Sequence, residues 1–370
     1  MSEAEAGAYK SAGVDYEVLD AAKRRAVEAA APTLSLPAWR GAHVVGESIG
    51  EPAALLEVGG LRLAVVLECL GTKSEIAREV EESLGLDLFG AVGVDAVAAI
   101  VNDLCCVGAV PLTLNAYFAT GSASWYSGTR HSSLVAGWRA ACERSGAAWV
   151  GGESPTLSGV VDPGGIDIAG SGVGLVPADA PSWLGSRLEP GDEVVLVASS
   201  GLHANGASLA RRVAAGLPRG WGEPLSNGRC FGEAVLDPSV LYVTLVDELQ
   251  RRSAEVPVHY ASHVTGHGFR KLMRAGRELT YRLHSLPEVP EVLAFLAERA
   301  RLSPREAYGT LNQGAGFAVY VAAGAGDAVV ELATGLGYGA LVAGAVEPGP
   351  RSVVLEPIGV TYDSAELSLH

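Results

Sequence analysis

The sequence predicts an α/β chain, α+β in detail, built as two domains that each mix strands with helices, and three observations predict it. Nearly unbroken apolar runs, Leu63–Leu67 in the first half and Val194–Ala198 in the second, are closed by turn residues, the mark of strands. Stretches rich in Ala and other helix formers alternate with them, at about 17–31, 74–84, 131–145 and 291–302. Between the halves, Pro177, Pro181 and Pro190 break any period, so residues 178–190 read as a linker and the domains as 1–178 and 179–370.

Tyr9-Lys10-Ser11-Ala12-Gly13-Val14-Asp15 is small and polar, with the flexibility of a lid, and the first helix follows it up to Pro32. Residues 42–46 and 53–58 read as strands, and Gly59-Gly60 joins the second of them to 61–68 as a hairpin. A run as apolar as Leu63–Leu67 suits a strand buried on both faces, which delivers Glu68 to a strand end. Residues 74–84 form a helix with Glu75, Arg78, Glu79 and Glu82 on its wet side. Residues 91–107 are apolar on nearly every side apart from their acids, which predicts a buried helix. Positions seven or eight apart share a helix face, so Asp95 and Asn102-Asp103 are expected to point the same way. A strand at 111–120, an amphipathic helix at 131–145 closed by Gly146, and strands at 147–150 and 166–176 complete the first half. In the second half the strand at 192–198 breaks at Ser199-Ser200-Gly201-Leu202-His203-Ala204-Asn205-Gly206, and a helix starts at Ala207 with Asn205 as its expected N-cap. Further glycine-bearing turns at 263–268 and 310–316, a helix at 291–302 and a strand at 317–322 follow.

With 27 basic and 42 acidic residues the chain carries a net charge of −15 and no basic run, which leaves no electrostatic footprint for nucleic acid. Hydrophobic residues make up 48% and aromatics only 6%, so the core must be built from Ala, Val and Leu. The five cysteines form no Cys-x-x-Cys pair, which argues against a disulfide framework and a structural zinc site and predicts buried free thiols at Cys105 and Cys106. No signal-peptide core opens the chain, and no run reaches the roughly 18 apolar residues of a membrane span. The expectation is a reduced, cytoplasmic protein with no membrane segment.

Glu68, Asp95 and Asp103, with Asn102, supply hard oxygen ligands of the kind Mg²⁺ takes while it also holds phosphates. Thr72 and Lys73 add a hydroxyl and a mobile cation for those phosphates. The same pattern is what solvated acids at strand ends give. The strand-to-helix turn at 199–206 is a ready anion site, with His203 either a turn residue or a catalyst. His263 and His267 sit four apart, but the glycines between and beside them oppose the helix that a metal pair would need.

Several motifs occur together in order: Glu68-Cys69-Leu70-Gly71-Thr72-Lys73, Gly93-Val94-Asp95, Val101-Asn102-Asp103-Leu104, Gly151-Gly152-Glu153, Ser199 to Gly206, His263-Val264-Thr265-Gly266 and Asn312-Gln313-Gly314. With them the chain, over roughly residues 9–345, resembles the aminoimidazole ribonucleotide synthetase (phosphoribosylformylglycinamidine cyclo-ligase) family. The resemblance implies a two-domain ATP-dependent synthetase fold whose N-terminal sheet pairs with that of a second copy in a homodimer, with ATP in a cleft rimmed by both domains. It implies that ATP activates an amide oxygen of a small-molecule substrate as an iminophosphate, after which the substrate's own amine closes an imidazole ring and expels phosphate. Such transfer needs positioning and charge neutralisation more than a protein nucleophile.

By the same resemblance Glu68, Asp95 and Asp103 hold Mg²⁺ with Asn102 beside them, and Gly71, Thr72, Lys73 and the N-terminal Lys10 close on phosphate. Glu153 faces the reacting group or a metal, and Ser200, Gly201, His203, Asn205 and Gly206 shape the C-terminal side of the site. Departures from the family pattern are specific. Glu68 stands for an Asp and Cys69 for a glycine, and Ser154-Pro155-Thr156-Leu157-Ser158 replaces Thr-Ala-Glu-Met-Pro. His267 interrupts a run of glycines, Arg270-Lys271 replaces an acidic or amide pair, and Gln313 and Ala315 replace a Met and an Ile. Most of these lie near the implied acceptor side, which leaves room for a related ATP-dependent enzyme of another amide or small acid, or for a non-catalytic homologue.

Overall fold

The computed structural model describes residues 16–367, so Lys10 and its expected lid lie outside the described residues. The first half holds α1 (Tyr16–Ala30), β1 (Ala42–Val44), β2 (Ala54–Val58), β3 (Leu61–Cys69), α2 (Thr72–Leu84), α3 (Phe89–Cys106), β4 (Val110–Thr120), α4 (Thr129–Ser145), β5 (Ala148–Glu153) and β6 (Ile166–Val176). Its sheet runs β1-β2-β3-β6-β4-β5, antiparallel except for the β4–β5 pair. Helix α3 lies across β3, β4 and β6 and against α4. Small residues permit that approach. A Cβ on Gly172 of β6 would stand 2.6 Å from Ile100 of α3, and one on Gly137 of α4 would stand 1.9 Å from the Gly90 carbonyl. By length and composition α3 could cross a membrane, but 89% of it is buried inside the protein, as a core helix should be.

The expectation that β3 is buried on both faces is corrected. Ala64 and Val66 are buried, whereas Val65 is half-exposed and Leu67 is 71% exposed. A largely antiparallel sheet with its helices on one side leaves its other face open, unlike the parallel sheets that bury continuous apolar runs. All of β5 is exposed on that open sheet, including Trp149 and Val150.

The second half contains β7 (Glu193–Ala198), α5 (Ala207–Gly216), α6 (Phe231–Val235), α7 (Val243–Arg251), β8 (Val258–His263), β9 (Leu279–Leu283), α8 (Glu291–Arg299), α9 (Pro304–Tyr308), β10 (Ala315–Val321), α10 (Gly326–Gly335), β11 (Ala340–Pro348), β12 (Ser352–Leu355) and β13 (Val360–Asp363). The sheet order is β13-β12-β9-β11-β7-β10-β8, with only β12–β9 parallel. Here every residue of β8 and β10 is buried. The core of the first half continues without a break into this one: Val101, Leu104 and Val107 share a cluster with Leu241, Val246 and Val258. Helix α3 is the joint, packed against α7 and β8 on its far side.

Helix α5 is capped at Gly206 and not at Asn205 as expected. The chain turns there at φ 96°, and a Cβ would meet Leu202 and Leu311 at 2.8 Å, so glycine is required by both conformation and space. All five cysteines are free thiols, with Cys105 and Cys106 buried as expected.

Candidate functional site

Two charged clusters lie where α3 meets the second half. The first starts at the turn after β3. The Leu70 amide donates to the Ile168 carbonyl at 2.7 Å, and the chain then bends through Gly71, which begins α2 with no side-chain cap. Lys73 follows in the first turn and is fully buried, contrary to the mobile cation expected. Its Nζ lies 2.6 Å from Asp95 Oδ2 and donates to the carbonyls of His203 at 2.9 Å and Asp237 at 3.4 Å. Asp95 Oδ1 accepts from the Ser239 amide at 2.7 Å and hydroxyl at 2.6 Å. Asn102 faces the same segment, donating to the Val240 carbonyl at 2.9 Å and accepting from the Tyr242 amide at 3.0 Å, so backbone engages both of its polar ends.

The second cluster sits at the ends of β3 and β8. Asp103 Oδ1 lies 2.7 Å from His263 Nδ1, and Glu68 is hydrogen-bonded to Asp103. Lys271, in the 3₁₀ turn after β8, donates to Thr265 Oγ1 at 2.5 Å and bears its charge toward both acids. Burial, then the neighbouring Asp103, push the Glu68 carboxyl up to about 8. Burial alone would raise Asp103 as well, but the bond and charge of His263, then Lys271 and Arg274, hold it below the usual carboxylate range. Burial, then Arg274, push the Lys271 ammonium down to about 8, against the pull of the two acids.

Asp95 and Asp103 therefore do not point the same way. Asp95 and Asn102, seven apart, both face the 237–242 segment, while Asp103, one residue further around the helix, turns to β8. Among the described residues, the only group of three or more His, Cys, Asp or Glu residues with ligand atoms within 4.8 Å of one another is Glu189, Asp192 and His259, which includes none of the predicted ligands. The Mg²⁺ set implied by the resemblance thus fits in part. Glu68 and Asp103 are adjacent carboxylates of the kind that hold Mg²⁺ together with phosphate oxygens, and neither is tied down as Asp95 is by the Ser239 amide and hydroxyl together with the Lys73 ammonium. Asp95 does not fit, because both its oxygens are taken by Lys73 and Ser239.

His203 bridges the two clusters. Its Nε2 accepts from the amides of Ser200 at 3.1 Å and Val240 at 3.4 Å. Burial, then the charges of His263 and Lys73, depress its imidazole well below the ordinary value. A neutral ring accepting at Nε2 carries its proton on Nδ1, and that buried Nδ1 has no partner among the described residues. His203 also has φ 57°, and His267 at 71° and Gln313 at 44° are strained in the same way. All three lie on loops at one end of the second sheet, where Ala198 of β7 pairs with Ala315 and His263 of β8 pairs with Phe317. Left-handed backbone at non-glycine residues costs on the order of 1–3 kcal/mol each and gathers at functional sites.

The remaining predicted residues divide. The N-terminal ends of α2 and α5 approach each other, with Thr72 Oγ1 3.5 Å from Ser208 Oγ, so two sets of free amides face one region. Ser200 donates to the Pro238 carbonyl at 2.6 Å, and Gly201 and Gly206 form the turn around His203. Glu153 is elsewhere: with Leu67, Asn115, Tyr117 and Gly152 it lines a cavity of 510 Å³ on the open face of the first sheet. Sequence reasoning missed Ser239 and the Asp237 carbonyl, and noticed Lys271 only as a departure from the family pattern.

Residues 50–176 match the family model described as AIR synthase related protein, N-terminal domain, and residues 189–356 match its C-terminal domain. The chain belongs to the AIR synthase related family. Members similar to it include the phosphoribosylformylglycinamidine cyclo-ligase of Pyrococcus furiosus, 31% identical over 356 residues that cover 96% of this chain and 99% of that one. The enzyme of the same name from Fusobacterium nucleatum is 32% identical over 84% of this chain and 89% of its own. Among solved structures, the hydrogenase maturation protein HypE in its complex with HypF aligns with a TM-score of 0.60 at 18% identity, over 85% of this chain and 92% of that one. ThiL complexed with AMPPCP and TMP aligns with a TM-score of 0.58 at 17% identity, over 85% and 90%. At such identities the structural likeness speaks for the shared two-domain family fold.

Proposed function

We propose that this chain is an ATP-dependent phosphoribosylformylglycinamidine cyclo-ligase of purine biosynthesis. The observation that carries this reading is identity above 30% sustained over nearly the whole of both chains with an enzyme of that name. In this reading Mg²⁺, held by Glu68 and Asp103, would neutralise phosphate charge as a phosphoryl group passes to the substrate's amide oxygen. The amides at the starts of α2 and α5, at Gly71-Thr72 and Gly206, receive the phosphates. Lys73 positions: by gripping Asp95 and the carbonyls of His203 and Asp237, it holds the C-terminal turn against α2. Neutral His203 offers an Nδ1–H donor to substrate and cannot serve as a general acid near neutral pH.

A second copy of the chain covers the open face of the first sheet. Supporting this are the exposed Leu67, Val65 and Val150 on that face, an apolar patch that a lone soluble chain rarely leaves bare. Leu67→Glu should convert the dimer to monomer in light scattering, and an unchanged mass would remove that face from the interface. The activity is tested by phosphate release from ATP with formylglycinamidine ribonucleotide and by formation of aminoimidazole ribonucleotide. Release no greater than with ATP alone would overturn it, and release with a different amide would favour a related activity on the altered 154–158, His267 and Gln313 side.

A further inference from the structure

Lys271 is the group near the site that the reading above does not use. It stands on the turn Gly268–Met273, close enough to Glu68 at the end of β3 and Asp103 at the end of α3 to feel both charges. An ammonium has three donors, and among the described residues Nζ uses one, on Thr265 Oγ1 at 2.5 Å. The Lys271 carbonyl is pinned in turn by Ser262 Oγ at 2.9 Å, which fixes the stem of the side chain at the end of β8. Glu68 and Asp103 act on it by charge, yet it forms no ion pair within 4.0 Å with either. A half-buried cation that is anchored but not paired, beside two acids that already share contact, leaves donors for an anion arriving with its own metal.

Arg274, three residues on, is engaged otherwise: its guanidinium donates to the Gly50 carbonyl at 2.6 Å and lies 3.7 Å from Glu51. Lys73 is consumed by Asp95. We propose that Lys271, rather than Lys73, is the lysine of this site that binds the nucleotide's phosphates, its ammonium set beside Glu68 and Asp103, which would hold the divalent ion. The inference rests on the nucleotide reading above and adds a ligand from the C-terminal half, at a position where the sequence departs from the family pattern.

The test is calorimetric binding of β,γ-methylene ATP and of adenosine to the full protein with Mg²⁺ present. Lys271→Met should weaken the ATP analogue about tenfold or more, leave adenosine unchanged, and spare thermal stability, while Lys271→Arg retains most of the affinity. Equal affinity of wild type and Lys271→Met for the analogue would overturn the proposal and leave the nucleotide reading intact. Failure of the wild type itself to take up the analogue would overturn both. Should Lys271→Met not fold, Thr265→Val decides by removing only the anchor: a loss confined to the phosphate-bearing ligand upholds the proposal, and no loss sinks it.

Discussion

The two clusters flanking α3 contain similar residues and do different work. Around Lys73 every charge is matched: ammonium to carboxylate, the second carboxylate oxygen to Ser239, the remaining donors to carbonyls, all out of water. Around Glu68 the charges are crowded and only partly matched: Asp103 meets His263, but Glu68 leans on Asp103 and a lysine lies near without pairing with either acid. A saturated buried pair serves cohesion between the halves, whereas a crowded, incompletely paired group of acids and a lysine is the kind of arrangement in which functional sites are built. Two residues of one six-residue motif, Glu68 and Lys73, thus fall on opposite sides of that divide.

Mutation can break the contrast most forcefully at Lys73. Lys73→Met leaves the Asp95 carboxylate buried and alone, so chemical denaturation should show a loss of about 3–5 kcal/mol. Adding Asp95→Leu should recover part of it, because an apolar pair replaces a lone charge. A loss below about 1 kcal/mol would place Lys73 with the open cluster after all. The opposite signature is expected from Glu68→Gln, with stability little altered and roughly tenfold more Mg²⁺ needed for half-maximal activity. An unshifted Mg²⁺ titration would remove Glu68 from the metal. The finest distinction concerns His203, between the two. Its folded pKa lies below the ordinary 6.5, so the unfolded chain binds the extra proton first and stability should fall as pH drops below about 6.5. His203→Asn, which tolerates the positive φ, should flatten that slope between about pH 6.5 and 5, and a slope that persists in the variant would assign it to another group.

Most elements were readable from pattern alone. The buried helix over 91–107, the hairpin at Gly59-Gly60 and the strands at 166–176 and 192–198 all appear in place, because their periodicity and punctuation are local. The exposed face of β3 was not readable, since an all-apolar run looks the same whether a layer covers one side or both. The pairing of acids was misjudged for a related reason. One residue on a helix is about 100° of rotation, enough to send Asp103 to His263 while Asn102 stays with Asp95's neighbours.

By itself, the order of motifs along this chain determined its family and the set of residues from which a phosphate site could be drawn. Only the tertiary structure decided which charges meet. Lys73 finds the His203 carbonyl 130 positions away, and Asp103 finds His263 at a separation of 160. Contacts at that distance depend on which loops the two sheets bring to α3, and no local spacing encodes them.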